Sequence, residues 1–176
     1  MKITALTILC AAAASAKAPA GNPTIGEFKQ NYTQVKNNLI RMAEKMPAEN
    51  YEYKPVAEVR TFGALMAHIA DAQMRTCSMM NSGSAKSTDA GNSTSKDVIV
   101  AALKASFEEC DKAWDSMNDS TASQMMAGRG GQRSRLWSLT FMTVIHNNEE
   151  YGYGALYLRT KGIVPPSSDT AGRGGR

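Results

Sequence analysis

Three side chains in this sequence could share a metal ion. The chain has only two histidines, His68 and His146, and each lies in a helical stretch among apolar residues. Glu150 follows His146 by four residues, a spacing that places two side chains on one helix face with Cβ atoms about 5–6 Å apart. Two imidazoles and a carboxylate suit zinc or iron(II) and leave a coordination position open. The spacing therefore indicates a divalent-metal site.

The same residues also allow a simpler interpretation. A lone histidine on an apolar face is more often a core residue bonded to a carbonyl or hydroxyl group, and Glu150 could face solvent as part of a surface pair. The two interpretations differ in geometry. A shared ion requires the rings of His68 and His146 to lie within about 8 Å, since ligand bonds are near 2 Å long.

Two helices are predicted in the first half of the chain. Thr24 and Glu27 read as a capping box for the first, whose apolar residues recur at three- and four-residue spacing until Pro47 ends it. Thr61 caps the second, which continues to about Met80 and contains His68 on its apolar face. The first metal-ligand candidate is thus placed on helix two.

Two further helices are predicted in the second half. Thr94 and Asp97 offer a cap for the third, and the fourth is long, from Ser134 to about Thr160, where it carries His146 and Glu150. No stretch shows the period-two alternation of strands. The pattern predicts an all-α protein, a four-helix bundle.

The connections and chain ends complete this organisation. Residues 81–95 and 118–133 are rich in small and polar residues and read as loops, and the first is long enough to cross over the bundle. Gly162 and the following Pro165-Pro166 end the last helix. The bundle is predicted to span 24–166, followed by a disordered tail over 167–176.

The N-terminal residues predict export. Lys2 precedes an apolar run that is too short to span a bilayer, and Ala14-Ser15-Ala16 is a small-x-small cleavage site. Residues 1–16 therefore read as a signal peptide and 17–23 as a linker. The mature protein is expected to be periplasmic or secreted, with no membrane segment after cleavage.

Export bears on the cysteines. Cys10 would leave with the signal peptide, so that Cys77 and Cys110 remain. In an oxidising compartment this pair could form a disulfide, or both could be small buried thiols. The sequence leaves both alternatives open.

Charge excludes one class of partner. The net charge is only +4, and no basic stripe with interspersed aromatic residues is found, so nucleic-acid binding is not expected. The partners expected instead are a small-molecule substrate of unknown identity and a second copy of the chain in a homodimer.

Several segments together resemble DinB-like proteins. The stretch His-Asn-Asn-Glu-Glu-Tyr-Gly at 146–152 and the stretch at 157–168, which ends in Pro-Pro-Ser-Ser, resemble the last helix and tail of that family. The start of its second helix is resembled by residues 51–55, 60–63 and 67–71. The resemblance covers roughly residues 24–168. It implies a bundle of DinB-like topology with a long crossover between helices 2 and 3, in agreement with the loop at 81–95.

The resemblance also bears on the metal site. In that family a histidine on helix two and a His-x-x-x-His pair on helix four commonly bind a divalent metal, often zinc or nickel. His68 and His146 match two of these positions, whereas Glu150 stands where the family usually has the third histidine. A carboxylate there would make the metal a weaker Lewis acid and favour a harder ion, so zinc, nickel, iron and manganese are all candidates. Alternatively the site is lost.

Two functions follow from the resemblance. The family includes thiol-dependent transferases and isomerases, which implies a metal that activates a thiol or a water molecule, with Asp71 positioned to orient a ligand or a proton. Export disfavours thiol transfer, because the thiols concerned are cytoplasmic, and favours a metal-dependent hydrolase or a repurposed site. The alternative is a non-enzymatic exported bundle that binds a metal, a small molecule or a protein.

Overall fold

Four long helices make up most of the protein in the computed structural model, which describes residues 23–128 and 131–169. The first three are α1 (Pro23–Lys45), α2 (Phe62–Ser82) and α3 (Lys96–Asp115). A one-turn helix, α4 (Asp119–Ala122), and a hairpin of β1 (Met125–Gly128) and β2 (Gly131–Ser134) follow. The fourth long helix comprises α5 (Arg135–Thr140), a π-helical segment (Phe141–His146) and α6 (Asn147–Thr160). The all-α class is confirmed.

The directions of the helices identify the topology. Gln73 on α2 bonds Ser106 on α3, and Cys77 is bridged to Cys110, so both pairs are 33 residues apart in sequence. A constant separation means that α2 and α3 run in the same direction. The connection between them must therefore return along the length of the bundle. This confirms the predicted crossover between the second and third helices.

A disulfide joins the two parallel helices. Cys77 and Cys110 are bridged, with Cα atoms 4.9 Å apart, and both residues are fully buried. Of the two alternatives that the sequence left open, the structure has the disulfide.

The core lies where all four long helices meet. Trp114 of α3 stacks on Tyr32 of α1, with ring centroids 5.6 Å apart, and its indole N–H donates to Thr143 Oγ1. Both aromatic residues are almost completely buried. This packing orients α3 and the fourth long helix relative to α1.

Two of the four predicted helix starts are confirmed and two are shifted. The Ser134 hydroxyl caps the fourth long helix by accepting the Trp137 N–H. The Thr61 hydroxyl caps α2 by accepting a backbone N–H of its first turn. The first helix begins at Pro23, so Thr24 lies inside it; a proline fits the first helical position because its missing N–H has no helical partner there. The third helix begins at Lys96, and Thr94 therefore does not cap it.

The stretch at 118–133 is not only loop. It contains α4 and the hairpin of β1 and β2. The alternation expected of a strand is missing because neither face of β2 is buried in the core. Pattern alone could not reveal these strands.

The end of the fourth long helix is as predicted, but the tail differs. Gly162 adopts a left-handed conformation, φ 71°, and the next N–H, of Ile163, donates to Leu158. Residues 167–169 do not belong to a disordered tail: Pro166–Ser168 forms a 3-10 turn, and Asp169 pairs with Lys45 at 2.8 Å. The signal peptide predicted for 1–16, residues 17–22 of the predicted linker and residues 170–176 of the predicted tail lie outside the described residues.

None of the helices in the described part of the chain combines the length and the apolar character needed to cross a membrane.

Candidate metal site

Helix α2 and the fourth long helix bring the three predicted ligands together. The Nε2 atoms of His68 and His146 lie 3.6 Å and 3.5 Å from the same carboxylate oxygen, Oε1 of Glu150. The two imidazole centroids are 5.4 Å apart. The side chains therefore converge on one point instead of pointing into separate environments, and Glu150 does not face solvent.

The distances suit a divalent ion. One ligand atom from each residue lies within 4.8 Å of the other two. Ligand bonds of about 2.0–2.2 Å at tetrahedral angles place ligand atoms about 3.3–3.6 Å apart. The spacings of 3.5 Å and 3.6 Å to Glu150 fall in this range, and the third ligand–ligand distance is at most 4.8 Å.

The three side chains are buried to different extents, so the site is open to solvent on one side. The side chain of Glu150 is 10% exposed and that of His146 is 18% exposed, whereas His68 is 35% exposed. The carboxylate therefore closes the inner side of the site, and a molecule from solvent would approach beside His68.

The electrostatic surroundings favour the neutral form of His68. Burial lowers the pKa of this imidazole, and the positive charge of Arg60 lowers it further, while the Glu150 carboxylate opposes both effects. A neutral imidazole is the form that binds metals. The sum of these effects is thus compatible with a ligand role near neutral pH.

The π-helical segment ends at His146. Within it, the Thr143 hydroxyl donates to the Leu139 carbonyl at 2.8 Å and accepts the indole N–H of Trp114. Single π turns within α-helices are frequent at functional sites. The sequence did not reveal this segment, because no residue pattern distinguishes a widened turn from an ordinary one.

A buried polar chain extends from His146 into the core, and sequence reasoning missed it. The His146 Nδ1 lies 3.2 Å from Asn147 Oδ1, and the Asn147 amide donates to Gln73 at 2.7 Å. Gln73 in turn donates to Ser106. Asn147, Gln73 and Ser106 are all fully buried. One signal was present: Gln73 is a polar residue in line with Ile69 and Cys77 on the buried face of α2.

Asp71 has a different role from the one predicted. Its carboxylate accepts hydrogen bonds from the Thr88 backbone, the Thr88 hydroxyl and the Ser87 hydroxyl. The side chain therefore binds the crossover loop, although it lies only one turn after His68. Two surface cavities, one near α4 and one near the hairpin, include none of the three metal-ligand candidates.

Comparison with known proteins gives a family and a fold. The model of the DinB superfamily matches residues 31–153. Among solved structures, the chain is similar to a DinB-like protein from Bacillus cereus ATCC 10987, with a TM-score of 0.69 and 18% identity. That similarity covers 81% of this chain and 95% of the other one, and at this identity it concerns the fold alone. No curated protein matches the chain.

Proposed function

Because this chain belongs to the DinB superfamily, we propose that it is an exported metal-binding protein. The divalent ion would be held by His68, His146 and Glu150. The observation that carries the proposal is the convergence of both imidazole Nε2 atoms on one buried carboxylate oxygen. Two neutral imidazoles and one carboxylate leave a net positive centre after a divalent ion binds. Such a set also leaves a coordination position for a further ligand.

The residues divide the work of the site by their positions. Glu150 contributes charge from the buried side, while His146 is held by its contact with Asn147. His68 lies at the solvent side, where it would border an incoming substrate. A divalent ion in this position supplies Lewis acidity, which activates a water molecule or a thiol as a nucleophile.

We infer that hydrolysis is the more suitable reaction. Thiol transfer would need a low-molecular-weight thiol that is cytoplasmic, whereas the N-terminal sequence indicates export. The Cys77–Cys110 disulfide also supports export, since disulfides persist mainly in oxidising compartments. Sequencing of the mature N-terminus tests the export directly: the expected first residue is Lys17, and a secreted chain that begins at Met1 would contradict the predicted cleavage.

The presence of Glu150 also favours a second candidate function. A carboxylate ligand lowers the net charge of a metal centre and weakens it as a Lewis acid. Such a site suits a bundle that binds a metal, a small molecule or a protein without catalysis. Hydrolysis of a chromogenic ester by the zinc-, nickel-, manganese- or iron-loaded protein distinguishes the two, if His68→Ala abolishes it. A loaded protein without turnover supports the binding function.

Metal content of purified variants tests the site itself. The mature protein, incubated with zinc, nickel, manganese and iron(II) separately, is expected to retain about one ion per chain after desalting. His68→Ala should lose it, because two ligands from one helix turn seldom hold an ion. Glu150→His should bind zinc more tightly, since a third imidazole is a good zinc ligand.

The adjacent carboxylate provides the matched control. Glu149 is exposed and its carboxylate accepts from Tyr153, so Glu149→Gln should leave the metal content unchanged. A wild-type protein that retains none of the four ions, together with Glu150→His that gains none, would refute the metal site.

The homodimer remains a proposal with a structural motive. Trp137, Phe141 and Ile145 recur at four-residue spacing on the fourth long helix and are each close to half exposed. A contiguous exposed apolar stripe commonly marks an interaction surface. Sedimentation of the wild type beside Phe141→Asp tests it: a monomeric wild type would contradict the dimer.

A further inference from the structure

We propose that Asn147, Gln73 and Ser106 are positioning residues that hold His146 in one tautomer, with hydrogen on Nδ1 and none on Nε2. The use of this tautomer rests on the proposed metal site, because a bare Nε2 is what an ion binds. The tautomer itself is a property of the metal-free chain. The two claims can therefore be tested separately.

A backbone carbonyl sets the donor-to-acceptor direction of the hydrogen bonds that link Ser106, Gln73 and Asn147. The oxygen of Leu103 can only accept, so the Ser106 hydroxyl, 2.7 Å away, donates its single hydrogen there. The Ser106 oxygen is then left to accept from the side-chain amide of Gln73. Gln73 consequently turns its NH2 group toward α3 and its carbonyl oxygen toward the fourth long helix.

The same logic passes through Asn147 to the imidazole. The Asn147 NH2 group donates to the Gln73 oxygen at 2.7 Å, which leaves the Asn147 oxygen facing His146 Nδ1 at 3.2 Å. An amide oxygen accepts only, so a hydrogen bond at this contact requires hydrogen on Nδ1. In the neutral ring, Nε2 then carries a lone pair.

Reversal of the direction of these hydrogen bonds would cost free energy. The Nε2–H tautomer would leave a bare Nδ1 against the Asn147 oxygen. The alternative requires both amides to rotate and the Leu103 carbonyl to lose the Ser106 hydroxyl as a donor. Asn147, Gln73 and Ser106 are fully buried. A buried donor or acceptor that loses its partner therefore loses the free energy of a hydrogen bond that solvent does not replace. In water the neutral imidazole of histidine prefers hydrogen on Nε2, so the chain opposes the intrinsic preference.

This tautomer affects the interaction between His146 and Glu150. The bare Nε2 lies 3.5 Å from the carboxylate oxygen, and both atoms present lone pairs. Two electron-rich atoms in a partly buried site repel each other unless a cation lies between them. The hydrogen-bond chain thus prepares His146 as a ligand, and a cation bound between the two atoms would relieve their repulsion.

Nitrogen NMR of the histidine rings measures the tautomer directly. Metal-free protein labelled with nitrogen-15 is recorded at a pH where the imidazoles are neutral, and His68→Gln assigns the signals, because the sequence has only two histidines. His146 in the otherwise wild-type chain should show a pyrrole-type Nδ1 and a pyridine-type Nε2. A pyrrole-type Nε2 would overturn the inference, whatever the protein does with metals.

Variants of Asn147 separate positioning from packing. Asn147→Leu keeps the volume and removes the acceptor, so the ring should shift toward the Nε2–H tautomer. Asn147→Asp keeps an acceptor opposite Nδ1 and should keep the hydrogen there, although the Gln73 oxygen loses the donor that Asn147 supplies. Thr143→Val is the matched control: it deletes two other buried hydrogen bonds on the same helix, the one from the Trp114 indole and the one to the Leu139 carbonyl, and should leave the tautomer unchanged.

Zinc affinity supplies the functional readout. Loss of a partner that orients a ligating histidine typically weakens metal binding about 10–100-fold, the effect expected for Asn147→Leu, with Asn147→Asp and Thr143→Val near the wild type. Equal affinity for all four proteins would refute the positioning role. A wild type with the expected tautomer that takes up none of zinc, nickel, manganese and iron(II) would contradict the proposed function and leave the tautomer assignment intact. The wild-type spectrum also decides the tautomer if a variant does not fold.

Discussion

At the scale of single residues, Asp71 fastens the crossover loop to α2. Its carboxylate accepts the Thr88 N–H at 2.9 Å and the Ser87 hydroxyl at 3.1 Å. Partial burial raises the pKa of this carboxyl group, but the hydrogen bonds from Thr88, Ser87 and Gly91 outweigh it, and the net pKa is lowered. The charged form is therefore the one that the folded protein stabilises.

The sign of this shift predicts how stability depends on pH. A folded-state pKa below the unfolded value contributes stability above the unfolded pKa, near 3.9, and the contribution is lost as the pH falls through the folded pKa. Asp71→Asn should cost about 1 kcal/mol at neutral pH, reduced for the partial exposure of the group. Urea unfolding at neutral and at acidic pH measures the effect, which should shrink toward the acid end.

The exposed carboxylate Asp89 in the same loop is the control for this prediction. Asp89→Asn should change the free energy of unfolding by less than about 0.5 kcal/mol at either pH. Equal losses for the two variants would mean that Asp71 does not anchor the loop.

The residues of the candidate site were predictable to different degrees. His68, His146 and Glu150 could be found because imidazoles are rare in this chain and because four-residue spacing has a fixed geometry. Asn147 and Gln73 could not, since their roles depend on which helices become neighbours. Asp71 was misassigned for a related reason: its sequence position gives its helix face, but not the loop that folds back onto it.

At the scale of elements, the fourth long helix ends in a motif that only glycine fits well. Gly162 has φ 71°, its N–H donates to the Arg159 carbonyl, and Ile163 donates to Leu158. These bonds satisfy carbonyls that the last helical turn would leave free. The motif directs the following residues back toward α1, where Asp169 pairs with Lys45.

Two glycines on this segment give opposite predictions. Gly162→Ala should destabilise the protein by about 1–2 kcal/mol, because a Cβ atom is unfavourable in the left-handed region. Gly152→Ala should stabilise it by about 0.5–1 kcal/mol, since this exposed residue is inside α6 and has open space around it. Thermal unfolding of both variants tests the pair, and a shift of the same sign for both would contradict the assigned helix end.

The helices were predictable where apolar residues recur periodically or where a capping residue marks a helix end. Apolar spacing gave the four long helices, and Thr61 and Gly162 gave two of their ends. The hairpin escaped prediction because its strands are short and largely exposed. The π-helical segment escaped because a locally wider turn preserves the amphipathic appearance of the sequence on either side.

At the scale of the whole molecule, the disulfide closes a loop that contains the crossover connection. Cys77 and Cys110 are separated by 33 residues, and the bridge ties together two helices that run in the same direction. A parallel pair cannot be joined by a short turn, so its connection is long and costs entropy on folding. The bridge removes part of that cost from the unfolded chain.

Removal of the bridge should therefore lower the stability of the whole domain. The double variant Cys77→Ala with Cys110→Ala is expected to lose about 3–4 kcal/mol, from the entropy of a loop of this length. Guanidinium unfolding of the wild type with and without reductant gives the same comparison without mutation. Reductant should not affect the double variant, and an undiminished stability of the reduced wild type would contradict the prediction.

The candidate site combines residues of two helices, and it can form only after both helices have packed together. His68 is on the second long helix, whereas His146 and Glu150 are on the last one, so the site does not exist until the final helix has packed against α2. Interactions that form after the rate-limiting step of folding slow unfolding and leave the folding rate almost unchanged. If the last helix packs after that step, an ion that bridges these helices prolongs the lifetime of the folded domain and leaves its folding rate unchanged.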